Sequence, residues 1–228
     1  MKFLEIDLES QSWSSKEIDP LLQAGYLGGS GLAAYLLAED KSQADLNPLD
    51  PQSMLIFALG PLTGTGFPCS GRHSIAGRSP LTGLFAESDA GGRWGTELAR
   101  AGWSGLIVKG KANRPVYLLI TQEGIEVKDA GAIWGEDSFV TSSRLGEQCG
   151  AKARVAAIGP SGEKQIPLAC IMHDGSHARA AGRCGLGALM GSKNLKAIVV
   201  KGANMRPAVK DKAAFKELLA ALNKKIKK

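Results

Sequence analysis

The sequence predicts an α+β fold, with mixed β-sheets, flanking helices and a pseudo-twofold internal repeat. Three observations lead there. Apolar or alternating runs of strand length outnumber helical stretches and do not alternate strictly with them, which argues against a doubly wound parallel sheet. The run Met54–Leu59 enters Gly60-Pro61 and leads to Gly71-Arg72, and Arg154–Ile158 enters Gly159-Pro160 and leads to Gly182-Arg183, so one pattern occurs twice. Finally, 29 of the 228 residues are glycine, about twice the usual share. They follow apolar runs without a fixed period, where a tight turn or a bound ligand needs bare backbone.

The elements follow in order. Lys2–Leu8 alternates polar and apolar residues, as a half-buried strand does. Ile18–Tyr26 reads as a helix, Gly28-Gly29-Ser30-Gly31 as its interruption, and Leu32–Glu39 as a short buried helix. Asn47-Pro48-Leu49-Asp50-Pro51 is a turn-rich connector before the apolar strand Met54–Leu59. His73–Ala76 and Leu84–Ser88 are strands, and Arg93–Ala101 is a helix entered from Gly91-Gly92. Leu106–Lys109, Val116–Thr121 and Ile125–Val127 read as strands, and Ser138–Cys149 as an amphipathic helix. Arg154–Ile158 and Leu168–Met172 are strands, Gly187–Ser192 a helix and Ala197–Lys201 a strand. From Asp211 the chain is strongly helical, with Phe215, Leu218, Leu219 and Leu222 on one face. Arg206-Pro207 marks the boundary between a domain over residues 1–206 and a helical extension over 207–228, either the start of a further domain or a partner-docking helix.

Charge excludes several partners. The formal net charge is +6, but Lys224, Lys225, Lys227 and Lys228 supply four of those charges, so basicity is a property of the tail. With aromatic residues at 6%, no stacking surface for nucleic acid is indicated. The acidic N-terminal run lacks the apolar core of a signal peptide, and no segment approaches membrane-spanning length, so a cytoplasmic protein is expected. Cys69, Cys149, Cys170 and Cys184 form no CxxC, which indicates neither a zinc site nor an iron–sulfur cluster on this chain.

The chemistry concentrates in two Gly/Arg segments. Ala178–Leu195 places Arg179 and Arg183 among Gly182, Gly185, Gly187 and Gly191, just before a helix. Upstream, Gly71-Arg72-His73 and Gly77-Arg78 are followed by Asp89-Ala90-Gly91-Gly92. Guanidinium forks beside bare backbone suit a phosphorylated ligand, and two such segments suit one polyanion held from two sides. His73 reads as a hydrogen-bonded loop residue in preference to a base. His173 and His177 straddle Asp174-Gly175, a turn and not a zinc-binding helical face. Cys69 and Cys184 read as buried packing residues beside the arginines.

The runs GPLTGTGFPCSGRHSIAGRSPLTG (60–83), IGPSGE (158–163) and RAAGRCGLGALMGSKNLKAI (179–198), with Trp103–Leu118 and Ile133-Trp134-Gly135, resemble the N-terminal domain of aldehyde ferredoxin oxidoreductases over residues 1–205. The resemblance implies a base for a tungsten (or molybdenum) bis-pyranopterin, with Mg2+ bridging the pterin phosphates. By motif it carries cofactor contact onto Arg72, Asp89, Ala90, Gly91, Arg179, Ala180, Gly182 and Arg183, with Asp89 as the magnesium ligand. Two departures stand out: Asp89 replaces an amide, and Ser70 stands where glycine is common. An aspartate beside phosphates is favourable when a hard cation lies between them. The four-iron four-sulfur cluster would belong to the complete enzyme, its cysteines in remaining domains or a second subunit. The implied activity is oxidation of an aldehyde to a carboxylate with ferredoxin as electron acceptor, without nucleic acid or membrane. The alternatives are a stand-alone pterin-binding or carrier module, and the tungsten subunit of a multi-protein reductase with another substrate.

Overall fold

The computed structural model describes residues 1–203 and 205–226. Twelve strands form two six-stranded mixed sheets. The first contains β1 (Lys2–Asp7), β2 (Ser12–Glu17), β3 (Leu55–Leu59), β4 (His73–Arg78), β5 (Phe85–Ala90) and β6 (Gly105–Lys109), in the order β2-β1-β6-β3-β4-β5. The second contains β7 (Val116–Ile120), β8 (Ile125–Asp129), β9 (Arg154–Ala157), β10 (Ile171–His173), β11 (Arg179–Ala181) and β12 (Leu195–Val200), in the order β11-β10-β9-β12-β7-β8. Adding six to each strand number of the first sheet gives the second, read from its other edge. The directions agree as well: β1 is parallel to β6 and β7 to β12, and every other pairing is antiparallel. The expected repeat is therefore present as a duplication of the whole sheet topology.

The helices cover and join the sheets. α1 (Pro20–Tyr26) is capped by Asp19, whose carboxylate accepts from the Leu21 N–H, and α2 (Gly29–Glu39) buries Leu32, Ala33, Leu36 and Leu37. These side chains pack with Phe3, Ile56, Ala58 and Ile107 on the outer face of the first sheet. On the second sheet the same position is taken by α4 (Ser138–Cys149), capped by Asp137, with Leu145 against Val155, Ala197 and Val199. Between the sheets lie α3 (Trp94–Arg100) and α6 (Leu186–Ser192), each packed against strands of the opposite half. Trp94, fully buried, donates its indole N–H to the Ile198 carbonyl of β12 at 3.0 Å. The central core thus mixes Leu4, Phe57 and Ile75 with Leu118, Ile158 and Ile198. α5 (Pro160–Glu163) approaches α6 so closely that a Cβ on Gly191 would lie 1.9 Å from the Gly162 carbonyl oxygen. α7 (Lys212–Ile226) buries no residue fully, and its Phe215 ring lies 6.1 Å from that of Phe67.

Several expectations change. The expected interruption after Tyr26 is present but confined to Leu27-Gly28, and Gly29 and Gly31 already belong to α2. The strand expected over 168–172 is β10, shifted to Ile171–His173, because Ala169 donates its N–H to the Ile166 carbonyl and accepts the Gly187 N–H at the start of α6. The polar run Ser12–Glu17 is a strand, held by full antiparallel pairing to β1. Arg183 is not the counterpart of Arg72: it follows β11 as Arg93 follows β5, whereas Arg72 precedes β4. Cys69 and Cys184 are exposed at positive φ, not buried. Lys227 and Lys228 lie outside the described residues.

Candidate functional site

The edge strands β5 and β11, counterparts in the two halves, meet across the seam between the sheets. At that meeting a cavity of about 530 Å³ opens, lined by Arg72, Asp89, Gly91, Arg179 and Ala180 together with Cys69 and Gly92. Five of the eight expected cofactor residues therefore share one wall. Ala90 is buried behind it, paired with His73. Gly182 and Arg183 are exposed beyond the lining; the Arg183 N–H donates to Ser88 Oγ at 3.1 Å. Arg179 lies on a strand instead of a helix start, so guanidinium groups and loop backbone, not the α6 terminus, make this site.

Local structure aims the charged groups. Ser74 stands opposite Asp89 in the β4–β5 register and donates its hydroxyl to Asp89 Oδ1 at 2.7 Å. The other oxygen, Oδ2, lies 3.9 Å from Arg72 Nη1. That guanidinium is 72% exposed, so the pair contributes little to folding and leaves N–H donors for a ligand. Arg179 comes from the other half, its register set by pairing with His173. In the loop between β5 and α3, Gly92 has no room for a larger residue: its φ is +95°, and a Cβ there would lie 2.0 Å from Asp174 Oδ2. Asp174, itself at φ 59°, uses that oxygen to accept the Arg93 N–H, tying the second half to the start of α3.

Beneath the cleft lies a buried imidazole pair. His73 and His173 come from opposite halves, are 1% and 0% exposed, and face each other at 3.2 Å between their Nε2 atoms. His173 Nδ1 is 3.2 Å from the Ile171 carbonyl, which can only accept. The neutral pair then has one arrangement: His173 Nδ1–H donates to Ile171, and His73 Nε2–H donates to His173 Nε2. Burial pulls His173 down to about 4. Burial, and then His173 itself, hold His73 well below the usual imidazole value. Trp94 stacks on His73 at 4.9 Å and meets His173 edge-on at 5.7 Å. The histidines are structural pins across the seam, a role the sequence shows only as two unrelated loop residues. Asp174 and Gly92 also escaped the sequence reading, although an Asp-Gly turn and a paired glycine were visible.

The chain is a duplicated α+β scaffold with an arginine-lined cleft across its seam, a class of arrangement whose charge suits an anion. The family described as "Aldehyde ferredoxin oxidoreductase, N-terminal domain" matches residues 3–202, and the chain belongs to it. It is 43% identical over 215 residues to the tungsten-containing aldehyde ferredoxin oxidoreductase of Pyrococcus furiosus, covering 94% of this chain and 35% of that protein. It is 34% identical to the aliphatic sulfonate oxidoreductase, WOR-like subunit, of the same organism, covering 96% of this chain and 37% of that one. Among solved structures, the active site complex BamBC of benzoyl coenzyme A reductase superposes with a TM-score of 0.84 at 37% identity, over 89% of this chain and 30% of that one. The chain thus spans about a third of the length of these relatives. Among the described residues no helix is long and apolar enough to cross a membrane.

Proposed function

We propose that this chain is the cofactor platform of a tungsten-pterin oxidoreductase that converts aldehydes to carboxylates and delivers the electrons to ferredoxin. The observation that carries the reading is the convergence of Arg72, Asp89, Gly91, Arg179 and Ala180 on one cavity built by counterpart strands. The donor set fits a pterin phosphate pair. Two guanidinium groups face the cleft, and the only carboxylate among the lining residues, Asp89, has one oxygen held by Ser74 and the other turned toward Arg72. Arg72 and Arg179 would accept the phosphates through charge-assisted hydrogen bonds. Asp89 would share Mg2+ with them, since magnesium takes hard oxygen ligands and keeps phosphates as partners. Gly91 and Gly92 let the ligand approach the backbone. When bound, the cofactor would supply two-electron redox chemistry through dithiolene-held tungsten, or molybdenum, without a protein ligand from this chain.

The remaining two thirds of such an enzyme, as further domains or a second subunit, would supply the cluster cysteines and the substrate cavity. The half-buried face of α7, with Phe215, Leu219 and Leu222, would meet them. The similarity to BamBC and to a sulfonate oxidoreductase subunit favours one second reading, a tungsten subunit of a multi-protein reductase acting on another substrate. The test is metal and pterin analysis of the protein purified anaerobically with whatever accompanies it. About two pterins per tungsten, lost in Arg72→Ala and Arg179→Ala, is the expected result. Metal-free and pterin-free protein alongside its partner refutes the platform.

A further inference from the structure

The duplication allows the walls of the cleft to be compared position by position. Aligning the halves on Gly60-Pro61 and Gly159-Pro160 matches Ala58 of β3 with Ala157 of β9. Ala58 pairs with Ser74, and Ala157 with Met172. Ser74 in turn pairs with Asp89, and Met172 with Ala180. A hydroxyl opposite a carboxylate in the first half is therefore a methionine opposite an alanine in the second. Asp89 and Ala180 both line the cleft, whereas Ser74 and Met172 do not. Ser74 can therefore act on a ligand through its neighbours and not by contact.

Its bonds show what that action is. Ser74 is 6% exposed, and the first turn of α2 closes on it, since a Cβ on Gly29 would lie 3.4 Å from its Oγ. Its hydroxyl donates to Asp89 Oδ1 at 2.7 Å, which commits one carboxylate oxygen to the sheet. The other, Oδ2, stands 3.9 Å from Arg72 Nη1, beyond hydrogen-bond length. Guanidinium and carboxylate groups favour a fork in which two parallel N–H···O bonds engage both oxygens. With Oδ1 held by Ser74 that fork stays open, and the Arg72 side chain remains 72% exposed. The hydroxyl also sets the positive end of its dipole against the carboxylate, which reduces the repulsion an incoming anion meets. On the reading of the cleft as an anion site, we propose that Ser74 is a positioning residue that keeps Arg72 available. By holding Asp89 it stops the carboxylate from occupying the guanidinium that the anion needs. Arg179 requires no such restraint, because the position equivalent to Asp89 on its own strand is Ala180.

The test is a calorimetric titration of the whole chain with inorganic pyrophosphate in EDTA, so that no cation bridges Asp89 and the phosphates. Ser74→Ala should weaken binding about two- to fivefold, the weight of an exposed guanidinium–carboxylate pair. Asp89→Asn should bind at least as tightly as the unaltered chain, and adding Ser74→Ala to it should leave the affinity unchanged. The double-mutant cycle separates positioning from damage. A loosened β4 weakens binding in both backgrounds, whereas a freed carboxylate weakens it in the background that retains Asp89. Undiminished binding by Ser74→Ala, or the same loss in the Asp89→Asn background, overturns the role of Ser74 and leaves the cleft standing. An unaltered chain without saturable binding, or binding that survives Arg72→Ala combined with Arg179→Ala, overturns the anion site and the proposal with it.

Discussion

Mild acid should destabilise this protein through its buried histidine pair. Both rings hold a proton less readily when folded, because burial disfavours the imidazolium, and His173 lowers His73 further. Above the ordinary imidazole value of 6.5 both states are neutral and the pair's contribution to stability is complete. As the pH falls below it the unfolded chain takes up protons first, and stability declines until the folded value, about 4 for His173, is reached. Between about pH 6.5 and pH 5, one ring held near 4 loses roughly 1.5 kcal/mol, and the second ring adds to that loss. That is a large share of the ~5–15 kcal/mol of a typical domain. Carboxylates titrate mostly below this window. Lys193, pushed down to about 7 by burial, is largely protonated in both states within it. Urea unfolding at a series of pH values measures the slope directly. His173→Gln keeps an acceptor for the His73 N–H without titrating, and should remove about half of it. A flat profile between those pH values, or a slope unchanged in His173→Gln, refutes the assignment of the pair as neutral pins.

Three further outcomes are expected. Lys196 is fully buried, pairs with the Glu163 carboxylate and donates to the Glu136 carbonyl at 2.7 Å, while Glu163 also accepts the Gly135 N–H. Lys196→Met should cost about 3–5 kcal/mol by stranding that carboxylate, a fall of roughly 6–20 °C in thermal melting for a chain of this size. Gly92→Ala, at φ +95° and 2.0 Å from Asp174 Oδ2, should cost at least about 2 kcal/mol and speed hydrogen exchange at the Arg93 amide. Arg72→Ala should leave stability within about 0.5 kcal/mol. In calorimetry it should weaken pyrophosphate binding in Mg2+ about tenfold.

Strong local patterns were legible in the sequence. α4 spans Ser138–Cys149 as its spacing indicates, and β3, β6 and β7 lie where the apolar runs place them. What failed was set by tertiary pairing. Ser12–Glu17 has no apolar alternation of its own and becomes a strand because β1 offers it a complete ladder. Arg179–Ala181 is too short to register as a strand until β10 pairs with it. The repeat shows in the sequence at β3 and β9, where apolar runs enter Gly-Pro in both halves, and at β6 and β12, which both run into Val-Lys-Gly (108–110 and 200–202). Arg72, Arg179 and Asp89, which line one cavity, stand out in the sequence by their glycine setting and the family resemblance, whereas Arg183, singled out on the same grounds, lies outside the lining. The histidine pair was not, because its partners are 100 residues apart and meet only when the halves close.

The duplicated topology makes this chain a dimer folded within itself. In a dimer of identical subunits every substitution would be repeated on both sides of the axis, and a ligand of two like halves could sit there in either sense. Covalent fusion lifts that restriction, and the seam has already diverged: Arg72 precedes β4 and faces Asp89, whereas Arg179 lies on β11 itself. A two-ended anion laid across β5 and β11 would therefore meet unlike hosts at its ends, and this chain alone would set its direction in the cleft.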